Sequence, residues 1–469
     1  MTMRKPKIGL LPFYLELYDR AMPEVRARAE AFYVTIAAEL GSRGLEVATA
    51  PVCRVRQEFG AAIASFEDAK ADAVVTVHLA YSPSLESADA LAATKLPLIV
   101  LDTTPAEAYG PDQDPDELMY NHGVHGVQDM CNLLLRNRKP FHIEAGHWRD
   151  SDVLDRVAAW ARAAMIAANM GNARVGRIGE PFPGMGDFAV SADALRATIG
   201  VETLGCSPAD LRQLLPPDDD EAVQAELAAD ASRFAAQGVD AEAHRRTTCV
   251  CLAVRRWLER EQLTAFTFNF LAFDGICGLP TVPFLEASKA MARGIGYAGE
   301  GDVLTAALVG ALASARPETT FTEMFCPDWA GNRVFLSHMG EMNIELSADR
   351  PRLAEMQFPW TDAANPVFAV GRFRGGRAVL VNLAPGPDGM YTLLVAPVEI
   401  LDIAGRDNMA DSIHGWFEPA LPVEDFLAAY SRAGGTHHSA LVYGDVADEV
   451  ERFGEIMGWN VVTLPQRRT

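Results

Sequence analysis

Dense clusters of basic residues are missing from this 469-residue chain. Acidic residues outnumber basic ones 63 to 41, for a net charge of −22. A surface of that sign repels phosphate backbones and anionic lipid. The balance argues against nucleic acid and membranes as partners and favours a polar or cationic ligand. Paired cysteines are also missing. The seven, Cys53, Cys131, Cys206, Cys249, Cys251, Cys277 and Cys326, are odd in number and scattered, with no CxxC. That spacing implies neither a zinc knuckle nor a disulfide framework; it reads as reduced thiols in a cytoplasmic protein. No apolar run reaches the roughly 18 residues of a membrane span. The opening MTMRKPKIGLLPFYLELYDR has a basic start and a short apolar run. It lacks a small-residue cleavage site and reads as a first strand, not an export signal. GxxxxGK[ST], HExxH and GxSxG are all absent. The glycines of 274-DGICGLP-280 and 294-GIGYAGEGD-302 do not follow the dinucleotide fingerprint, so nucleotide chemistry has no support.

What is present is ordinary globular composition, 49% hydrophobic and 22% charged. At roughly 150 residues per domain, the length suggests three units. The first third alternates short β-branched runs (8–11, 47–50, 73–77, 97–102) with amphipathic ones (25–40, 59–69, 84–94). That rhythm indicates a parallel α/β sheet, whose ligands sit beyond the carboxyl ends of the strands. A second α/β set begins at Ala173, with strands at 174–179 and 264–270. A helix starts behind the acids 218–220, near N-cap positions, and further helices lie at 283–293 and 304–314. In the last third, strand-like runs at 334–337, 367–373, 378–382 and 391–401 are separated by Gly/Pro turns. Such a series indicates an antiparallel sheet or barrel. The expected fold is two doubly wound parallel-sheet (Rossmann-like) α/β domains, 1–172 and 173–318, followed by a mainly antiparallel β-barrel-like domain, 319–469.

Four residues stand out at the ends of these elements. Glu300 lies in Gly299-Glu300-Gly301-Asp302 before a helix, and Glu323 in 319-TTFTE-323. His338 lies at a strand end in 337-SHMG-340, and His438 closes 434-GGTHH-438 before a strand at 440–443. Two carboxylates and two imidazoles form a donor set suited to Mn2+, Co2+ or Zn2+ and too rich in nitrogen for Ca2+. Each also has a plainer reading. Glu300 suits a first-turn acid facing a helix dipole, Glu323 a solvated surface acid, and either histidine a hydrogen-bonded structural residue.

Around these residues the chain resembles the L-arabinose isomerase / L-fucose isomerase family, over nearly its whole length. The segments that carry the resemblance are 296-GYAGEGDVLTAAL-308, 319-TTFTEM-324, 336-LSHMGE-341 and 433-AGGTHHS-439. Supporting matches are 81-YSPS-84, 123-GVHG-126, 146-GHW-148 and 266-FTFNF-270. The resemblance implies one metal ion, usually Mn2+ (Co2+, Mg2+ or Zn2+ being other divalent occupants), held by Glu300, Glu323, His338 and His438. It implies an aldose–ketose isomerase in which Glu300 and Glu323 act as acid and base, working by enediol proton transfer or by a metal-assisted hydride shift. Because neighbours on a strand face opposite sides, only one of the two adjacent histidines would coordinate, leaving His437 either to support the metal ligands or to face the sugar. Met185 and Phe270 would line the pocket. His125 would reach a neighbouring subunit's site in a homo-trimer or homo-hexamer. Other segments depart from the family pattern. Leu15, in 13-FYLELYD-19, stands where a sugar-contacting glutamine is found. The segment 78-HLAYSPSLES-87 lacks a lysine and a tryptophan of the pattern, and 271-LAFDG-275 is altered. The exact aldose therefore stays open. Two alternatives use the same features: a non-catalytic sugar-binding or regulatory protein, and a related metal-dependent carbohydrate epimerase or hydrolase.

Overall fold

The computed structural model describes residues 4–217, 220–235, 238–405 and 407–465. They fall into two compact units, divided between Ala168 and Asn169. The division falls inside helix Val153–Gly171. In the first unit, β1 (Lys7–Phe13), β2 (Glu46–Thr49), β3 (Ala73–His78), β4 (Leu98–Asp102) and β5 (His142–Ala145) pair in parallel in the order β2-β1-β3-β4-β5. All six residues of β3 are buried, as befits a central strand covered on both faces. Helices Arg56–Asp68, Ser84–Ala93 and Val124–Arg136 supply Phe59, Ile63, Phe66, Leu91, Val127, Met130 and Leu134 to the core over Leu11, Val74 and Val100.

The second unit contains a four-stranded parallel sheet and a barrel. In the sheet, β6 (Arg174–Ile178), β7 (Glu202–Cys206), β8 (Ala265–Phe268) and β9 (Gly296–Gly299) follow the order β7-β6-β8-β9. Three helices of this unit share a buried ionic network. The Lys289 ammonium, 1% exposed, pairs with Asp230 and Glu226 at 2.5 and 2.7 Å, and the fully buried Glu286 meets Arg255 at 2.8 Å and also Arg293. Buried charges are tolerated because every one has a partner; removing one member would leave the other uncompensated. Helix Glu221–Arg233 begins where the sequence places it. The Asp220 carboxylate accepts from the Ala222 N–H, while Asp218 and Asp219 lie outside the described residues.

The remaining strands are β10 (Thr319–Asp328), β11 (Arg333–Ser337), β12 (Arg352–Glu355), β13 (Val367–Val370), β14 (Gly376–Pro385), β15 (Tyr391–Ile400), β16 (His414–Pro419), β17 (His438–Tyr443) and β18 (Asn460–Thr463). Six of them close an antiparallel barrel in the order β14-β17-β10-β11-β16-β15, with β15 returning to β14. Closure leaves no free edge among these six, and β18 adds in parallel to β15. The fold class is therefore the one read from the sequence, two parallel α/β sheets and a β-barrel. Some particulars differ. The expected strand at 367–373 is the shorter β13, which pairs with β12 in a separate two-stranded sheet instead of joining the barrel. Glu323 lies within the ten-residue β10, not at an element's end, and β17 starts at His438 instead of 440. Helix Val303–Ala315, buried at nearly every position, packs against β8 and β9 of the parallel sheet and β10 and β17 of the barrel. It thereby sets the ends of these strands close together.

Candidate active site

Strand register assembles the first part of the site. β10 lies between β17 and β11, with Glu323 opposite His438 on one side and Ser337 on the other. Directly opposed residues project from the same face about 5 Å apart, so pairing alone brings Glu323 to His438. His338 follows Ser337 at the end of β11. Phe321, two residues before Glu323 on the same face, packs its ring against both imidazoles, at 4.7 Å from His338 and 5.0 Å from His438. Gly299, the last residue of β9, makes room for this group. A Cβ there would stand 2.6 Å from Cε1 of His338.

Glu300 arrives from the parallel sheet through a strained turn. Its φ is +63° and that of Gly301 is +85°. The left-handed region costs a non-glycine residue on the order of 1 kcal/mol or more and persists where the surroundings fix it. Those surroundings are on hand. Thr267 Oγ1 donates to the Gly299 carbonyl and accepts from the Gly301 N–H. The Phe182 N–H donates to the Glu300 carbonyl at 2.9 Å. The result places the Glu300 carboxylate 3.5 Å from His438 Nε2 and 3.7 Å from His437 Nε2.

The donor atoms form two overlapping groups, Glu300/His437/His438 and Glu323/His338/His438, each within 4.8 Å. His438 belongs to both. Carboxylates hold the rings by their other nitrogens. His438 Nδ1 lies 3.0 Å from Asp302, itself fully buried and capping helix Val303–Ala315. His338 Nδ1 lies 2.7 Å from Glu341, whose second oxygen accepts from the Tyr297 hydroxyl at 2.6 Å. Such partners fix a ring's tautomer and orientation and leave Nε2 for a ligand. His438 Nε2 is buried and makes no hydrogen bond.

Electrostatics divides the two carboxylates. Burial raises Glu300, but the facing imidazoles of His437 and His438, with the charge of His338, outweigh it and hold the carboxyl down at about 2. Burial raises Glu323 as well; there the histidines compensate only in part, and the carboxyl stays above its ordinary range. Burial lowers the His438 imidazole, yet Asp302 and Glu300 push it up to about 9. A cation held at Nε2 would have to displace a proton.

Residues 16–172, 196–316 and 318–460 match the N-terminal, central and C-terminal domain families of L-arabinose isomerase, respectively. The chain belongs to the L-arabinose isomerase family. Among its relatives, L-arabinose isomerase from Herpetosiphon aurantiacus is 28% identical over 369 residues, covering 75% of this chain and 72% of the relative. The L-arabinose isomerase from Erwinia tasmaniensis is 27% identical over 432 residues, covering 86% and 82%. As a member of this family, the chain is an aldose–ketose isomerase, an intramolecular oxidoreductase.

L-arabinose isomerases generally depend on a divalent metal, and the residues present fit one. The donor set mixes carboxylate and imidazole, and a buried imidazole nitrogen that makes no hydrogen bond lies within it. Among the residues singled out from the sequence, Glu300, Glu323, His338, His438 and His437 lie together in the structure. The rings of His437 and His438 are only 4.2 Å apart, centroid to centroid. Strand alternation does not separate them as the sequence suggested, because His437 precedes β17 instead of lying within it. Met185 is half-buried in the loop after β6, its N–H bonded to the Phe182 carbonyl. Phe270 is buried against Phe182, Phe358 and Trp360. His125 belongs to the other unit, on helix Val124–Arg136, beside Tyr81 and His122. Sequence reading passed over Asp302, Glu341, Tyr297, Asp187 and Phe188. The first two lie inside the quoted motifs, two residues after Glu300 and three after His338. A carboxylate at that distance from a candidate metal ligand is a signal that was available.

Proposed function

We propose that this isomerase interconverts a pentose or 6-deoxyhexose aldose with its ketose, using Mn2+ held by Glu300, Glu323, His338 and His438. The observation that supports this is the pair of overlapping donor groups, Glu300/His437/His438 and Glu323/His338/His438, which share His438, whose buried Nε2 makes no hydrogen bond. When bound, the divalent cation supplies Lewis-acid polarisation of the sugar carbonyl and orients the neighbouring oxygens. The chain's own residues do the rest. In the aldose-to-ketose direction C2 loses a proton, C1 gains one, and the O2 proton ends on O1. Glu300 and Glu323 accept and return the carbon-bound proton at their carboxylate oxygens. Asp302 and Glu341 hold His438 and His338 in place through Nδ1. Phe321 and Phe188 pack against these rings and keep water from that side.

Met185 and Phe270 are assigned to the apolar wall of the sugar pocket, and His437 to a sugar hydroxyl. His125 is assigned to the site of a neighbouring copy, in a cytoplasmic homo-trimer or homo-hexamer. The three-part division 1–172, 173–318 and 319–469 is part of the same reading. Incubating the purified protein with Mn2+ and a panel of aldoses, and identifying products by NMR, tests it. One aldose is expected to yield its ketose, with solvent deuterium appearing at the exchanged carbon. Tight sugar binding without turnover of any aldose would favour a binding protein and overturn the proposal.

A further inference from the structure

Asp187 lies in the segment between β6 and helix Ala192–Thr198, 250 residues before the histidine it holds. Its Oδ2 accepts from the His437 backbone N–H at 3.0 Å and faces the ring Nδ1 at 2.6 Å. Two bonds from one carboxylate to one residue fix both the backbone and the rotation of the ring. A hydrogen bond to a carboxylate also keeps the hydrogen on Nδ1, whatever the ring's charge. The other edge, Nε2, is then turned toward Glu300, 3.7 Å away. His437 keeps 30% of its side chain exposed, whereas His438 keeps none. The His437 ring is thus partly open to an incoming molecule where the neighbouring ring is sealed.

The same segment touches the site at three other points. Phe188 stacks on the His438 ring at 5.1 Å and 14°. The Phe182 N–H donates to the Glu300 carbonyl. At Gly301 a Cβ would stand 2.7 Å from Cα of Pro181. Residues 180–188 therefore form a strap across Glu300, Gly301, His437 and His438, and Asp187 is its one charged contact with a ring that is still accessible.

We infer that Asp187 is a positioning residue for sugar binding: it locks His437 so that Nε2 is presented to a substrate hydroxyl beside Glu300. This rests on the reading of the Glu300 cluster as the sugar site. The test uses the Mn2+-loaded enzyme and the variants Asp187→Ala and Asp187→Asn. The readouts are KM and kcat for the aldose turned over fastest, calorimetric binding of the corresponding alditol (which cannot isomerise), Mn2+ affinity, and the 15N–1H signals of the histidine rings.

Expected for Asp187→Ala are a KM and an alditol Kd about tenfold higher, the scale of loss when a partner that orients a functional histidine is removed. Its kcat stays within about threefold, Mn2+ affinity is unchanged, and the protected Nδ1–H signal of His437 is lost. Asp187→Asn keeps an acceptor for the backbone N–H, should fall between the two, and serves as the folded comparison if the alanine variant melts early. Variants with wild-type KM, alditol affinity and ring signals would overturn the inference, as would a loss confined to kcat. Failure of the underlying reading looks different: the wild-type protein itself would neither turn over an aldose nor bind its alditol.

Discussion

Replacing Glu323 by glutamine is expected to lower kcat/KM by about two to four orders of magnitude, the range that a positioned acid or base contributes. At 1.36 kcal/mol per decade this is about 3–5 kcal/mol of transition-state stabilisation. The substitution preserves the size of the side chain and one acceptor oxygen, so the pairing of β10 with β17 and β11 is unaffected. It removes the ability to take and return a proton. Glu323 suits that task because burial pushes its carboxyl upward while three histidines limit the rise, moving it toward the proton-exchanging range. Glu300→Gln should cost a comparable factor, since Glu300 faces His437 and His438 from the opposite strand end. The double variant should be little worse than either single one, because groups that act as a unit lose activity together. Steady-state kinetics and solvent-deuterium incorporation measure this. Turnover within threefold of wild type in either single variant would remove that residue from the proposed chemistry.

His438→Gln is expected to have the second large effect, on the metal instead of the proton. His438 is the one residue shared by both donor groups, and it is fully buried. Loss of a partner behind a ligand typically costs 10–100-fold in metal affinity, and loss of the ligand nitrogen itself should exceed about 100-fold. The change also strips Asp302 of the ring it holds at 3.0 Å. A buried carboxylate oxygen left without its partner destabilises by about 1–3 kcal/mol, so the variant should melt at lower temperature as well. Titration with Mn2+ followed by electron paramagnetic resonance separates the two effects. A variant that binds Mn2+ as tightly as wild type, whatever its melting temperature, would exclude His438 as a ligand. Asn382 gives the control. Its amide donates to the carbonyl of His438 and to Thr436, and accepts from the Thr436 N–H. Asn382→Ala loosens the backbone of this segment without touching the ring.

The parallel sheets were legible because their strands are short, β-branched and separated by amphipathic runs. β3, Ala73–His78, and β4, Leu98–Asp102, emerge within a residue of their expected bounds. Barrel strands were legible where Gly/Pro turns frame them, as with β14 and β15. β10 was not, because the register shift between Met324 and Cys326 and the exposed Phe325, Cys326 and Pro327 interrupt its alternation. Helix Ala241–Arg260 was passed over for a different reason. Its centre, 247-TTCVC-251, is β-branched and buried on every side, so packing overrides local preference. At the site, motif order pointed to the four donor residues. Asp187 could not be reached that way, since nothing near position 187 indicates contact with a histidine 250 residues later. The closeness of His437 and His438 likewise depends on where β17 begins.

The most direct measurement is anomalous diffraction from crystals of the protein soaked in Mn2+. A single strong peak bounded by the carboxylates of Glu300 and Glu323 and by Nε2 of His338 and His438 is the expected result. Manganese bound elsewhere, with those four side chains contacting only one another, would contradict a shared cation as the organising centre of this enzyme.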